Sequence, residues 1–330
     1  MSEARPAGAN YSSDQEVGWC PGCGDLAILA QLKKALANMA IPMEQQVFLS
    51  GTGCAARMPQ YIGAYGLQGL HATAPAAATG LKWLRPDLTV WVVLGDGEGM
   101  GPGAHHLLQA CRRNTDVKVL LINNETRGLS RGQESATTRK GTQTTTSPLG
   151  VSDPIWKPAA LALAAGATFV ARTLDVEVDH LSQMLSRAAA HKGLAFVEIL
   201  QNCKVFNDLV FDSLTGQASR PDNLLYLEQG KPLVFGRHGR KALGWKGNQL
   251  MLTKAQNSEE GIAPAIHDEA CENALTAQAL ALLENPEFPE CLGVFRAWSR
   301  PTHGENHPDT PATLPALQEL LAGPDSWTID

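Results

Sequence analysis

Thr89-Val90-Trp91-Val92-Val93-Leu94, running on into Gly95-Asp96-Gly97-Glu98-Gly99, is the stretch that decides the fold. A continuous apolar run of this length suits a strand buried on both faces, the habit of parallel sheets sandwiched between helices. The glycines after it allow a tight turn and a close backbone approach to a ligand. Working outward, strand-like and helix-like stretches alternate over the first two hundred residues. Gln46 to Ser50, Val117 to Ile122, Thr168 to Ala171 and Leu194 to Leu200 read as strands. Helical stretches are read after Gly24 and Asp25, which serves as an N-cap, with Ile28, Leu29, Leu32 and Leu36 on one stripe, and over Gly103 to Arg113, Pro158 to Ala165 and Val178 to His191, while Pro75 to Leu84 is an Ala-rich segment. Five strands alternating with helices predict an α/β, doubly wound, mostly parallel sheet. Residues 1–215 would form this domain. Residues 216–330 read as an irregular C-terminal extension, with one helix from Cys271 to Leu283 and a strand from Leu292 to Ala297 before a Pro-rich tail.

Composition narrows the partners. The chain has 330 residues, 18% charged, and a net charge of −6, with no run of Lys and Arg to neutralise phosphates, so no nucleic acid is expected. No apolar stretch reaches the roughly 20 residues of a membrane span. The polar stretch from Met1 to Gln15 lacks the order of a signal peptide, which places the chain in the cytoplasm and makes its seven cysteines thiols or metal ligands rather than disulfides.

In open parallel sheets, ligands bind beyond the carboxyl ends of the strands. Four polar turns follow strands here: Ser50 to Cys54, Gly95 to Gly99, Asn123 to Glu125 and Gln201 to Cys203. All four should face one edge. Asp96 offers a hard oxygen to Mg²⁺, the Asn124 amide oxygen a second, and a backbone carbonyl near Thr126 a third; a cation so held takes a diphosphate as its remaining ligand. The Thr-rich loop from Ser130 to Ser147 is long for a structureless connection and therefore suspect of function.

Cys20, Cys23, Cys54 and Cys203 gather before the first helix and at two strand ends. Four thiolates suit a [4Fe–4S] cluster; zinc also takes four cysteines, and Cys20-Pro-Gly-Cys23 alone could be a redox dithiol. Cys111, Cys271 and Cys291 read as ordinary structural residues.

These residues resemble the β subunits of 2-oxoacid:ferredoxin oxidoreductases. The resemblance is carried by WCPGCG (Trp19 to Gly24), SGTGC (Ser50 to Cys54), GLHATAPAAATGLK (Gly69 to Lys82), GDGEGMGPG (Gly95 to Gly103), HLLQACRRN (His106 to Asn114), NNETRGLSRGQES (Asn123 to Ser135), TSPLG (Thr146 to Gly150) and QNCKVFN (Gln201 to Asn207). HDE (His267 to Glu269) and GVFRAWSRPT (Gly293 to Thr302) resemble the longer subunits of 2-oxoglutarate-using members. The resemblance implies a sheet of the thiamine diphosphate-binding type. It implies Mg²⁺ on Asp96, Asn124 and the Thr126 carbonyl, and a [4Fe–4S] cluster on Cys20, Cys23, Cys54 and Cys203. Gly53, Cys54, His71, Gly95, Asp96, Gly97, Glu98, Asn124, Thr126, Gly128 and Leu129 would meet the cofactor, and His71 and Arg127 would act on the reaction.

The implied reaction is reversible, coenzyme A-dependent oxidative decarboxylation of 2-oxoglutarate to succinyl-CoA and CO₂, with single electrons passing through the cluster to ferredoxin. An α subunit would supply the activating Glu and much of the substrate pocket, in an (αβ)₂ assembly onto which the extension packs. Pyruvate is the alternative 2-oxoacid. A non-oxidative thiamine decarboxylase subunit and a zinc-bearing scaffold are the alternatives from other classes. The sequence departs from the family pattern at His71-Ala72-Thr73, where HGR is usual, at Glu98, the second acid of GDGD, and at Arg127-Gly128-Leu129-Ser130 in place of YGLT. His71, Arg57 and Arg127 are the cations expected near the substrate's distal carboxylate.

Overall fold

The computed structural model describes residues 11–39, 41–256 and 261–305, so most of the polar N-terminal stretch and most of the Pro-rich tail lie outside the described residues. Its centre is an eight-stranded sheet. In chain order its strands are β1 (Gln46–Ser50), β2 (Tyr65–Gln68), β3 (Thr89–Gly95), β4 (Val117–Asn123), β5 (Phe169–Leu174), β6 (Ala195–Leu200), β7 (Leu224–Leu227) and, after a small separate sheet of β8 (Val234–Phe235), β9 (Lys241–Lys246) and β10 (Gln249–Lys254), β11 (Glu290–Ala297). The spatial order is β2-β1-β3-β4-β6-β5-β11-β7. Every neighbouring pair is parallel except β11 with β5.

Side-chain alternation along β3 explains the two helical layers. Val90, Val92 and Leu94 join one core with α2 (Ala74–Leu84), α4 (Ala104–Arg113) and α5 (Pro158–Ala164). Trp91 and Val93 point the other way, into a core with α1 (Asp25–Asn38) and α6 (Val178–Ala190). A short α3 (Asp96–Gly99) follows β3 directly. No helix among the described residues is long and apolar enough to cross a membrane.

The structure is more regular than expected beyond residue 215. β7 and β11 complete the central sheet rather than leaving an irregular extension. β9 and β10 form an antiparallel hairpin in which Lys246 faces Gln249 across Gly247-Asn248, with Gly247 at φ 62° as the turn requires. The HDE and GVFRAWSRPT stretches serve this packing: His267 Nε2 meets the Val294 carbonyl at 2.7 Å, and the Arg300 guanidinium donates to the Cys111 and Arg112 carbonyls (2.8 and 2.9 Å) at the C-terminus of α4. The fifth strand runs to Leu174 rather than ending at Ala171, with Arg172 and Thr173 buried inside it.

Candidate functional site

Because β1, β3, β4 and β6 are parallel neighbours, the turns that follow them emerge at one edge of the sheet. There they enclose two adjoining cavities. A cleft of about 330 Å³ is lined by the 52–55 turn, His71, the 95–98 turn, Ile122, Asn124, Thr126 and the 127–130 segment. A cavity of about 200 Å³ is lined by Cys20, Cys23, Cys54 and Cys203, together with Trp19, Asp25, Arg57 and Phe206 among others. Cys54, Asn124, Gly128 and Leu129 belong to both.

In the cleft, Asp96 is almost fully buried, and its Oδ2 accepts hydrogen bonds from Ser135 Oγ and Thr137 Oγ1, both 2.6 Å. Burial holds this carboxyl above the usual carboxylate range, while the two hydroxyls pull it down. Asn124 closes an Asx turn, its Oδ1 accepting from the Thr126 N–H at 3.2 Å while its Nδ2 donates to Gln201 Oε1 at 2.8 Å. The long polar loop contributes Ser135 and Thr137 and folds over the carboxylate, which gives its length a reason. Ser135 closes the NNETRGLSRGQES motif, whereas Thr137 is marked only by the loop's length.

Glu98 lines the cleft, with its carboxylate nearly buried between two turns. Its Oε1 accepts from the Thr52 and Ala72 N–H groups (3.1 and 2.7 Å) and lies 3.5 Å from His71 Nδ1. It therefore ties the 51–54 turn to the 69–73 turn, and burial raises its pKa against the pull of those two N–H groups. Thr52 Oγ1 also makes a short hydrogen bond to His71 Nδ1, a contact that spacing does not reveal. Ala72, standing where the family pattern has Gly, takes φ 73°. A Cβ on Gly51 would fall 1.8 Å from Glu98 Oε1. Gly51→Ala is expected to push Glu98 off both turns and lower stability by about 1–3 kcal/mol, read as a fall in the denaturation midpoint.

Arg127 lies across the glycines of the 95–101 segment: a Cβ on Gly97 would meet its Cγ at 2.5 Å, and one on Gly101 its Nη2 at 2.7 Å. Among the described residues it has no carboxylate partner, and it lines the cleft. Arg57 falls on the cysteine side instead, donating to the Gly18 carbonyl at 3.1 Å, so the structure does not bring it to the cleft. Gly53, Gly95, Gly97, Gly128 and Leu129 all line the cleft.

Around the second cavity, Trp19 Nε1 donates to the Cys54 carbonyl (2.9 Å) and Gln201 Nε2 approaches Cys23 Sγ at 3.4 Å. A Cβ on Gly128 would stand 3.5 Å from Cys203 Sγ and 3.7 Å from Cys54 Sγ. Burial pushes the Cys23 thiol up and the Cys54 thiol to about 11, with the Asp25 carboxylate adding to both. Asp25 does not cap its helix. Gly24 occupies that position, and Asp25 is fully buried with neither oxygen hydrogen-bonded, its carboxyl pushed up to about 7 by burial. Among the described residues no three His, Cys, Asp or Glu side chains are gathered tightly enough to hold a single metal ion. Cys111, Cys271 and Cys291 lie away from this cavity.

A parallel sheet whose strand-end turns present a buried Asp, an Asx-turn Asn and close-approach glycines defines a diphosphate-binding fold. Residues 51–199 match the family described as "Thiamine pyrophosphate enzyme, C-terminal TPP binding domain". The chain is 41% identical over 334 residues to 2-oxoglutarate oxidoreductase subunit KorB of Mycobacterium tuberculosis, covering 98% of this chain and 88% of that protein. It is 42% identical over 201 residues to the β subunit of 2-oxoacid:ferredoxin oxidoreductase 1 of Aeropyrum pernix, covering 61% of this chain and 63% of that one. The solved 2-oxoglutarate:ferredoxin oxidoreductase of Magnetococcus marinus, with 2-oxoglutarate, coenzyme A and succinyl-CoA bound, is similar with a TM-score of 0.71 and 28% identity over 89% of this chain and 85% of that one. The chain belongs to the β subunits of the 2-oxoacid:ferredoxin oxidoreductases, and so to a multi-subunit oxidoreductase.

Proposed function

We propose that this subunit, with an α subunit, carries out reversible coenzyme A-dependent oxidation of 2-oxoglutarate to succinyl-CoA and CO₂ in the cytoplasm, delivering electrons singly to ferredoxin. The observation that carries the reading is the wall common to the two cavities, built from Cys54, Asn124, Gly128 and Leu129. A diphosphate on one side and a redox centre on the other would be separated by little more than a glycine and a thiolate.

The residues fit the groups. Asp96, Asn124 and the Thr126 carbonyl offer three hard oxygens for Mg²⁺, and a cation there would compensate the buried Asp96 charge. Burial holds the Cys23 and Cys54 thiols up, so thiolates there would need the compensating positive charge of a bound metal centre. Single cysteines from separate turns, Cys54 and Cys203, beside one Cys20–Cys23 pair suit a polynuclear cluster better than zinc, which favours paired CxxC units. Thiamine diphosphate, when bound, supplies the carbon nucleophile and electron sink.

The chain's own residues then have distinct tasks. Glu98 and Thr52 hold His71 at the cleft through Nδ1, leaving Nε2 to face the reactants. Arg127 supplies a cation for the distal carboxylate. The α subunit brings the activating Glu, the extension beyond residue 215 packs against that partner, and the assembly is (αβ)₂. Anaerobic co-purification with the α subunit should give iron, acid-labile sulfide and 2-oxoglutarate turnover, whereas the β chain alone should turn nothing over. Turnover by the single chain would overturn the division of the site. Arg127→Gln is expected to raise the KM for 2-oxoglutarate about tenfold or more, as loss of a charged hydrogen bond does, with no comparable change for pyruvate, which has no distal carboxylate. Equal effects on both substrates would remove Arg127 from that role.

A further inference from the structure

Two charges sit where a doubly covered sheet should be apolar. Arg172 in β5 and Glu198 in β6 are neighbours in register, both nearly fully buried, with Arg172 Nε 2.8 Å from Glu198 Oε2. Arg172 Nη1 also makes a short contact to Glu290 of β11, and its guanidinium lies 5.2 Å from the Phe295 ring centroid. Replacing such a pair by apolar residues is often neutral or stabilising, so stability alone gives no reason for it.

The pair is connected to the cleft. Asn123 Nδ2 donates to Glu198 Oε1 at 2.8 Å, and Asn123 Oδ1 accepts from the Glu125 N–H at 3.2 Å. Thr137 Oγ1 stands 3.0 Å from that same oxygen and 2.6 Å from Asp96 Oδ2. Asn123, Thr137, Arg172, Glu198 and Glu290 also line one cavity of about 70 Å³. With the Glu198 carboxylate held by Arg172 through Oε2, the Asn123 amide that donates to Oε1 has one favoured orientation. That orientation places its oxygen toward Thr137 and the Glu125 N–H, within the segment whose Asn124 and Thr126 line the cleft.

We infer that Arg172, Glu198 and Glu290 are positioning residues for the cation site: through Asn123 and Thr137 they set which Asp96 oxygen and which face of Asn124 meet the metal. The inference rests on the Mg²⁺–diphosphate reading of the cleft. It also gives the C-terminal strand β11 a part in the site, since Glu290 is its first residue.

The test uses the αβ complex stripped of cofactor, with thiamine diphosphate binding followed by calorimetry at a series of Mg²⁺ concentrations. The triple variant Arg172→Met, Glu198→Leu, Glu290→Gln removes the charges together and leaves none of the three unpaired. Glu198→Leu also takes the acceptor from Asn123 Nδ2, so the thermal midpoint should fall only modestly, while the Mg²⁺ concentration for half-maximal binding should rise about 10- to 100-fold, the usual effect of losing a ligand's outer support. Glu198→Gln, in which Arg172 keeps Glu290, should fold and move the same quantity in the same direction by less. A folded triple variant, or Glu198→Gln should the triple variant fail to fold, with the wild-type Mg²⁺ requirement overturns the inference and leaves the cleft reading intact. A wild-type complex that binds thiamine diphosphate without regard to Mg²⁺ overturns both.

Discussion

Replacing Cys203 by Ala should strip the αβ complex of iron and take ferredoxin-linked oxidation of 2-oxoglutarate to the assay background while leaving the fold in place. Cys203 sits in a strand-end turn, bridged to Asn207, and is only partly buried, so its loss opens no large core cavity. Its sulfur instead faces Cys54 across Gly128 in the cysteine cavity. Three remaining thiols would be one short of the cluster's ligand set. Cys111→Ala is the matched control. That thiol is buried in the α4 core, so the variant should lose stability by cavity formation but keep its iron. Iron and sulfide analysis beside a thermal melt separates the two, and a Cys203→Ala complex with full iron would remove Cys203 from the ligand set.

Asp96→Asn should weaken Mg²⁺-dependent thiamine diphosphate binding by about 100-fold or more, since even outer-sphere partners of a metal are worth 10- to 100-fold. The amide keeps the shape and an acceptor for Ser135 and Thr137 but lacks the charge that a divalent cation needs. In the absence of cofactor the sign reverses. Burial raises the Asp96 pKa, so the folded state disfavours the charged form, and the cofactor-free wild type loses stability as pH rises through the carboxylate range. The neutral Asn escapes that cost. Its cofactor-free midpoint at neutral pH should match or exceed the wild type's, and cofactor should add little. Calorimetric melts with and without Mg²⁺ and thiamine diphosphate read both halves; a variant stabilised as strongly by cofactor as the wild type would free Asp96 of metal duty.

Both predictions depend on residues that the sequence exposes well, for a physical reason. β3 is buried on both faces and reads as an unbroken apolar run, β4 and β6 read as apolar runs interrupted once each by Lys118 and Glu198, and in a parallel sheet the turns after them must share an edge. The sheet's margins give weaker signals. All four residues of β2 are exposed, so no apolar run marks it. β5 is interrupted by Arg172, whose charge is satisfied by Glu198 and Glu290 from strands distant in sequence. The β9–β10 hairpin carried a Gly-Asn turn that was there to be read. Within the site, Asp96 and Asn124 stand at strand ends, but Thr52, Ser135 and Thr137 act through hydrogen bonds closed by tertiary folding. Glu98 is legible in the glycine turn, but the two neighbouring turns that its side chain bonds are not.

The central claim is that a diphosphate cofactor and an iron–sulfur cluster lie on either side of Cys54, Asn124, Gly128 and Leu129. Low-temperature EPR of the anaerobic αβ complex, loaded with thiamine diphosphate and Mg²⁺ and mixed with 2-oxoglutarate in the absence of any external electron carrier, tests it most directly. The account predicts that a reduced-cluster signal appears on mixing and is absent from the Asp96→Asn complex. A complex that consumes 2-oxoglutarate while its cluster stays oxidised, or that does so without iron, would contradict it.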